Sequence, residues 1–112
     1  MILPPPGTVL GQIDAIPDPG GRVATWDDLP ILLARKGDEI RAYLNVCPHA
    51  GRPLNLPDGR VIAHGGTHLI CPAHGAVFDI LTGQGDGPLV GTSGLKPIPV
   101  HVEDGAIKAG EI

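Results

Sequence analysis

Cys47-Pro48-His49 and Cys71-Pro72-Ala73-His74 are the two places in this 112-residue chain where metal-binding side chains crowd together. In each, a thiol and an imidazole stand one or two residues apart. Both can face one metal centre if the backbone bends sharply between them. Pro48, Pro72 and the glycines at 51 and 75 make that bend credible. Together the segments offer four ligands, two sulfur and two nitrogen. Cys47 and Cys71 are the chain's only cysteines. In a reducing compartment such a pair serves metal binding or chemistry rather than a disulfide.

Two kinds of centre accept this donor set. A single zinc ion takes Cys₂His₂ tetrahedrally. The usual finger spacing, however, groups the cysteines together and the histidines together, whereas each segment here carries one of each. A two-iron cluster suits the mixed arrangement, each segment giving its cysteine to one iron and its histidine to the other. Rieske centres as a class have two histidines in place of two cysteines on one iron, which raises their potential. Two isolated cysteines are most often plain buried apolar residues. That simpler account explains neither the paired histidines nor the proline-glycine bends.

The elements that must hold these segments are short. Proline or glycine interrupts nearly every window long enough to show a 3.6-residue period, so no helix of ordinary length is expected. Apolar runs bounded by turn residues predict strands instead. Residues 8–13 form a first, ended by a turn at 17–21, and residues 22–25 a weaker second. The clearest hairpin joins 31–35 to 39–46 through Lys36-Gly37-Asp38. Its second arm sets Ile40, Ala42, Leu44 and Val46 against Glu39, Arg41, Tyr43 and Asn45, the pattern of a half-buried strand. That arm ends at Cys47. A strand at 67–70 delivers the chain to Cys71 in the same way, and 76–80 leads away to a turn at Leu81-Thr82-Gly83. Residues 83–94 read as an irregular loop around Pro88. Residues 96–102 alternate again, with Ile98, Val100 and Val102 on one face. Glu103-Asp104-Gly105 then turns the chain into 106–108 as a terminal hairpin.

The chain is too short for two independent cores, so residues 1–112 are expected to form one domain. It is 42% hydrophobic, and its 17 glycines and 13 prolines fall between apolar runs, as turns do, rather than in polar tracts. Trp26, Tyr43 and Phe78 are the only aromatics. Aliphatics must fill a thin core, which a bound metal centre would help hold together. The formal charge is −4 with no basic run, which argues against nucleic acid and permits docking onto a positive partner. Residues 1–7 have no basic start and no long apolar segment. Neither a signal peptide nor a membrane anchor is expected, and a cytoplasmic location follows by default.

With these residues in view, the sequence resembles the Rieske ferredoxins. Cys47-Pro-His-Ala-Gly-Arg-Pro-Leu54 and Cys71-Pro-Ala-His-Gly-Ala-Val-Phe-Asp79 look like that family's paired cluster loops. Ile16-Pro17-Asp18, Thr82-Gly83, Pro88 and residues 97–105 are similar to its other elements, so the likeness spans almost the whole chain. It implies an antiparallel all-β Rieske-type β-sandwich with a small cluster-binding subdomain at one tip, about residues 43–92. It implies one [2Fe–2S] cluster, with Cys47 and Cys71 on the buried iron and His49 and His74 on the solvent-facing one. The loop around Pro88 would cover that cluster.

The function implied is that of an electron carrier rather than an enzyme. It would pass one electron from a reductase to an oxygenase, most commonly of the aromatic-ring-hydroxylating kind. The absence of a nucleotide-binding glycine fingerprint, and of a second His/carboxylate set for mononuclear iron, agrees with a carrier. Two other readings stand beside it: a small Rieske subunit of a multi-subunit oxidoreductase, such as a nitrite-reductase-like assembly, and a zinc-stabilised binding module.

Three departures from the family pattern matter. The interval from His49 to Cys71 is long, and the extra length is expected in residues 58–66 as an enlarged surface loop. The two further cysteines that join the loops in respiratory members are missing, which places the chain with the soluble ferredoxins. Ala76 and Phe78 stand where high-potential members have serine and tyrosine. Without those hydroxyl donors the reduced cluster is less stabilised, so the potential should fall low in the Rieske range of about −150 to +300 mV. His64 and His68 belong to no cysteine-bearing pair and are expected at the solvent surface. His101 should be structural or exposed. Arg52 reads as an ordinary surface residue near the cluster rim that could meet a partner, and Asp79 as a hydrogen-bonding brace for the second loop.

Overall fold

The computed structural model of the chain describes residues 2–48, 51–73, 75–86 and 93–110. Among them run eleven strands: β1 (Val9–Gln12), β2 (Gly20–Trp26), β3 (Leu29–Lys36), β4 (Glu39–Leu44), β5 (Ile62–His64), β6 (His68–Ile70), β7 (Val77–Asp79), β8 (Gly85–Asp86), β9 (Pro97–Ile98), β10 (Val100–Glu103) and β11 (Ala106–Ala109). One 3₁₀ turn, Ile13–Ala15, is the sole helical element among the described residues. The strands form three antiparallel sheets, ordered β1-β11-β10, β2-β3-β4-β9 and β5-β6-β7-β8.

Ile31-Leu-Leu-Ala34 in β3 sets the layering. A strand apolar at every position has no side to turn to water, so its sheet must be covered on both faces. All four residues are buried, and their alternation divides them between two cores. Ile31 and Leu33 join Ile40, Ala42, Ile98 and Ile107 in the core under the β1-β11-β10 sheet. Leu32 and Ala34 join Tyr43, Leu54, Leu69, Phe78, Ile80 and both cysteines in the other. Each fully buried Leu, Ile or Phe contributes roughly 1.5–3 kcal/mol of transfer free energy. Two modest cores thus replace the single thin one that the composition suggests.

Five sequence expectations change in the folded molecule. Residues 22–25 are not a weak strand, because β2 pairs with β3 over seven residues, from Gly20 with Arg35 to Trp26 with Leu29. Its apolar neighbour supplies the partner that β2's own composition does not advertise. Residues 96–102 are not one strand. The run breaks at Pro99, which has no N–H to donate to a ladder. Ile98 therefore pairs with Ala42 in the central sheet, and Val100 with Ala109 in the outer one.

Nor are residues 58–66 merely an enlarged loop. They contain β5, whose Ile62 pairs with Ile70, and Val61 and Ala63 pack against the cysteine-bearing core. β5 forms one edge of the sheet that carries the second cysteine loop. Finally, the mixed face of β4 is not a solvent face. Tyr43 is 1% exposed and Asn45, just beyond the strand, 6%, because the third sheet and its loops pack against them. The irregular loop expected at 83–94 instead opens on β8, whose Gly85 pairs with Phe78, and Gln84 bridges to Gly94; its remainder, residues 87–92 with Pro88, lies outside the described residues.

Candidate metal centre

The two cysteine segments share one backbone design. The N–H of Cys47 donates to the Arg52 carbonyl at 2.8 Å, and that of Gly51 donates to the Cys47 carbonyl at 2.7 Å. In the second segment, Cys71 N–H donates to the Ala76 carbonyl at 2.8 Å and Gly75 N–H to the Cys71 carbonyl at 2.9 Å. The spacing is the same in both. Gly51 and Gly75 have φ of +67° and +79°, and a Cβ at either would meet nothing within 4 Å. Glycine is needed there for the left-handed turn, not for room.

Cys47 and Cys71 are 0% and 1% exposed and belong to one apolar cluster with Leu32, Leu54, Leu69 and Phe78. Neither sulfur is in a disulfide. A thiolate in such a setting needs an opposite charge close by. Among the described residues the only buried polar or charged residue is Asn45. As thiolates the two side chains would need the opposite charge that a metal centre supplies, and a metal centre fits a donor set of two buried sulfurs. His49 and His74 lie outside the described residues. The sulfur half of the expected ligand set is thus brought together in one core.

What fastens these loops to the central sheet could not be read from the β4 pattern. Arg41 Nε donates to the Leu81 carbonyl at 3.1 Å. The Tyr43 hydroxyl donates to the Ile80 carbonyl at 2.8 Å. Asn45 Oδ1 accepts the Leu54 N–H at 2.8 Å while its Nδ2 donates to Asn55 Oδ1 at 2.9 Å. Three polar side chains in alternation therefore grip the segments that follow both cysteine loops. The only signal in the sequence is that alternation, which is identical to a solvated face.

Asp79 braces the second loop as expected, its Oδ1 accepting the N–H groups of Leu81 and Thr82 at 2.8 and 3.1 Å. Partial burial, the largest single influence, pushes its carboxyl up, but these donors and the neighbouring His68 together hold it below the usual range. Burial pushes the Tyr43 phenol up to about 12, with the Arg41 charge opposing and the Asp79 charge adding. The folded value lies above the ordinary one near ~10. The resulting stabilisation is complete below about pH 10 and is lost as pH climbs through 12. Tyr43 is the chain's one tyrosine. Its ultraviolet difference titration, with Tyr43→Phe as the blank, should have a midpoint near 12 in the folded protein and about 10 in denaturant. A folded midpoint of about 10 would contradict the burial.

Among the other histidines, His64 and His101 are exposed, as expected. His68 departs from expectation: its side chain is 26% exposed, with Nε2 3.5 Å from Asp86 Oδ2 and Nδ1 2.7 Å from Thr67 Oγ1. It sits on β6, which has a partner strand on each side, so its flanks are covered.

A family model described as the Rieske [2Fe–2S] domain matches residues 8–98. The chain belongs to this family. Its cofactor is the Rieske-type [2Fe–2S] cluster, so electron transfer is its chemistry and a zinc module is set aside. No curated protein matched the sequence. Among solved structures, the ferredoxin of carbazole 1,9a-dioxygenase from Nocardioides aromaticivorans IC177 is similar at 21% identity and a TM-score of 0.77, covering 95% of this chain and 98% of that one. The Sphingomonas yanoikuyae B1 ferredoxin is 25% identical with a TM-score of 0.76, covering 95% and 99%. A complex of reduced oxygenase and oxidised ferredoxin in carbazole 1,9a-dioxygenase matches at 25% identity and a TM-score of 0.72, over 92% of each chain. Among the described residues of this Rieske protein, no helix is long and apolar enough to cross a membrane.

Proposed function

We propose that this Rieske protein is the ferredoxin of an oxygenase system, accepting one electron from a reductase and passing it to the oxygenase. The observation that carries the reading is the pair of like-built cysteine segments meeting in one buried core. Cys47 and Cys71 would hold the inner iron and His49 and His74 the outer one, within a cluster-binding subdomain of about residues 43–92 in a single domain of 1–112. When bound, the cluster takes up and releases one electron. The chain's own part is to hold its ligands rigidly, exclude water from the sulfurs and present the loop tips to a partner. Support comes from two relatives that are ferredoxins over nearly their full length, and from a third seen together with an oxygenase. The chain itself is a carrier, not a catalyst, and a cytoplasmic setting suits a protein whose two cysteines form no disulfide.

Anaerobically prepared protein should contain two iron and two sulfide per chain, absorb in the visible and give a rhombic paramagnetic signal on reduction. The reduced protein should then be reoxidised by an oxygenase of this class. Colourless protein holding one zinc and no iron would sink the proposal. Ala76 is buried at the end of the second cysteine loop. A hydroxyl there would add a donor facing the negative charge gained on reduction. Ala76→Ser should therefore raise the midpoint potential by tens of millivolts, starting from a wild-type value low in the range of about −150 to +300 mV. Voltammetry checks both parts, and an unchanged or lowered midpoint in the variant defeats the argument.

A further inference from the structure

We propose that the groove between the two cysteine segments is a docking site for a protein partner that presents a carboxylate beside an apolar side chain. This rests on the electron-carrier reading and adds to it the chemistry of the partner's contact. The groove, about 400 Å³, has Pro53, Leu56 and Pro57 on one side and Pro72 and Ala73 on the other, with Arg52 at its edge. That is room for one or two side chains. Both walls join the cluster loops directly: Arg52 supplies the carbonyl that holds the Cys47 N–H, and Pro72 follows Cys71. Three of the lining residues are prolines with fixed φ, so the groove is formed in advance and little ordering is lost on docking.

Arg52 identifies the polar half of the occupant. The other four arginines are committed within the chain. Arg22 donates to the Ala15 carbonyl, Arg35 to those of Ile13, Ile16 and Gly37, Arg41 to the Leu81 carbonyl and Glu39, and Arg60 to Asp58. Arg52 is exposed and its guanidinium has no hydrogen bond or ion pair among the described residues. The charges that follow it in sequence, Asp58 and Arg60, neutralise each other at 2.7 Å. One free guanidinium at the rim of an apolar groove is complementary to a carboxylate with an apolar neighbour, which it can bind bidentately. The chain's net charge of −4 gives an acidic partner no general attraction, so recognition must be local to this groove.

The test uses the intact holo-protein, followed by two-dimensional amide NMR. The probe is an acetylated, amidated Leu-Glu-Phe peptide, with Leu-Gln-Phe as its neutral counterpart. Leu-Glu-Phe should shift the Arg52 Nε–H, Leu56 and Ala73 resonances. Leu-Gln-Phe, or Leu-Glu-Phe with Arg52→Gln, should bind roughly fivefold more weakly or worse. Arg52→Lys should be intermediate because it keeps charge without the fork, and Arg22→Gln should behave as wild type. The proposal fails if the wild type is not perturbed, if the shifts map elsewhere, or if Arg52→Gln binds within twofold of wild type. Iron, sulfide and reversible reduction are measured on the same samples. Their loss in the wild type would defeat the carrier reading itself, whatever the peptide does.

Discussion

Gly83→Ala is expected to destabilise the protein by about 2–5 kcal/mol and to release the turn that follows the second cysteine loop. Two costs add. Gly83 has φ of +73°, where an L side chain costs roughly 1–2 kcal/mol. A Cβ built there would stand 2.7 Å from Tyr43 Cε1 and 3.2 Å from Cδ1. Overpacking of that kind costs typically ~1–3 kcal/mol. The ring cannot swing aside cheaply, being buried and tethered through its hydroxyl to the Ile80 carbonyl. Gly83 also donates to the Asp79 carbonyl and accepts the Leu95 N–H at 2.8 Å, so displacing it disturbs both flanks of the turn. Denaturant unfolding of the holo-protein measures the loss. In the Tyr43→Ala background the clash is gone and the two substitutions should be clearly non-additive. A Gly83→Ala protein within about 1 kcal/mol of wild type would show the contact to be softer than drawn.

Asn45→Leu is expected to cost about 3–4 kcal/mol and to speed iron loss to a chelator. The substitution keeps the branched outline of the side chain and removes the clasp. The Leu54 N–H loses its Oδ1 acceptor and Asn55 Oδ1 loses its Nδ2 donor. Leu54 is 0% exposed, so water cannot replace the first of these without opening the core. Each buried group left unsatisfied costs roughly 1–3 kcal/mol. The clasp closes the base of the first cysteine segment, between the residues leaving β4 and those returning after Pro53. Opening it frees Cys47 to move relative to Cys71. Asn45→Asp keeps the acceptor for Leu54 and should fall between the two. Wild-type stability together with a wild-type rate of iron release in Asn45→Leu would remove Asn45 from the positioning of the loop.

The chemistry of the centre was legible because it is local. Cysteine, proline, glycine and histidine within five residues of one another announce a bent, metal-binding segment wherever it lies in the fold. The hairpin into Cys47 and the strand into Cys71 were legible for the same reason, since alternation and turn residues act over a few positions. Even the brace by Asp79 is a contact across only two or three residues. The misreadings arose where a strand's neighbour decided its fate. Residues 22–25 became a full strand because β3 offered an apolar partner, and 96–102 was divided because Pro99 lies where the chain passes from one sheet to another.

By itself, then, the sequence determined the all-β character and the family to which the chain belongs, and it named the four candidate ligands of which the described residues bring Cys47 and Cys71 into one core. Tertiary structure alone decided that Arg41, Tyr43 and Asn45 face the cysteine-bearing half rather than water, that residues 62–64 extend its sheet, and that Arg52 has no hydrogen bond or ion pair among the described residues. The physical reason is range. Backbone bends and side-chain alternation are written in consecutive residues, whereas what covers a polar face depends on segments 10 to 40 positions away, and a polar residue looks the same whether it meets solvent or a carbonyl.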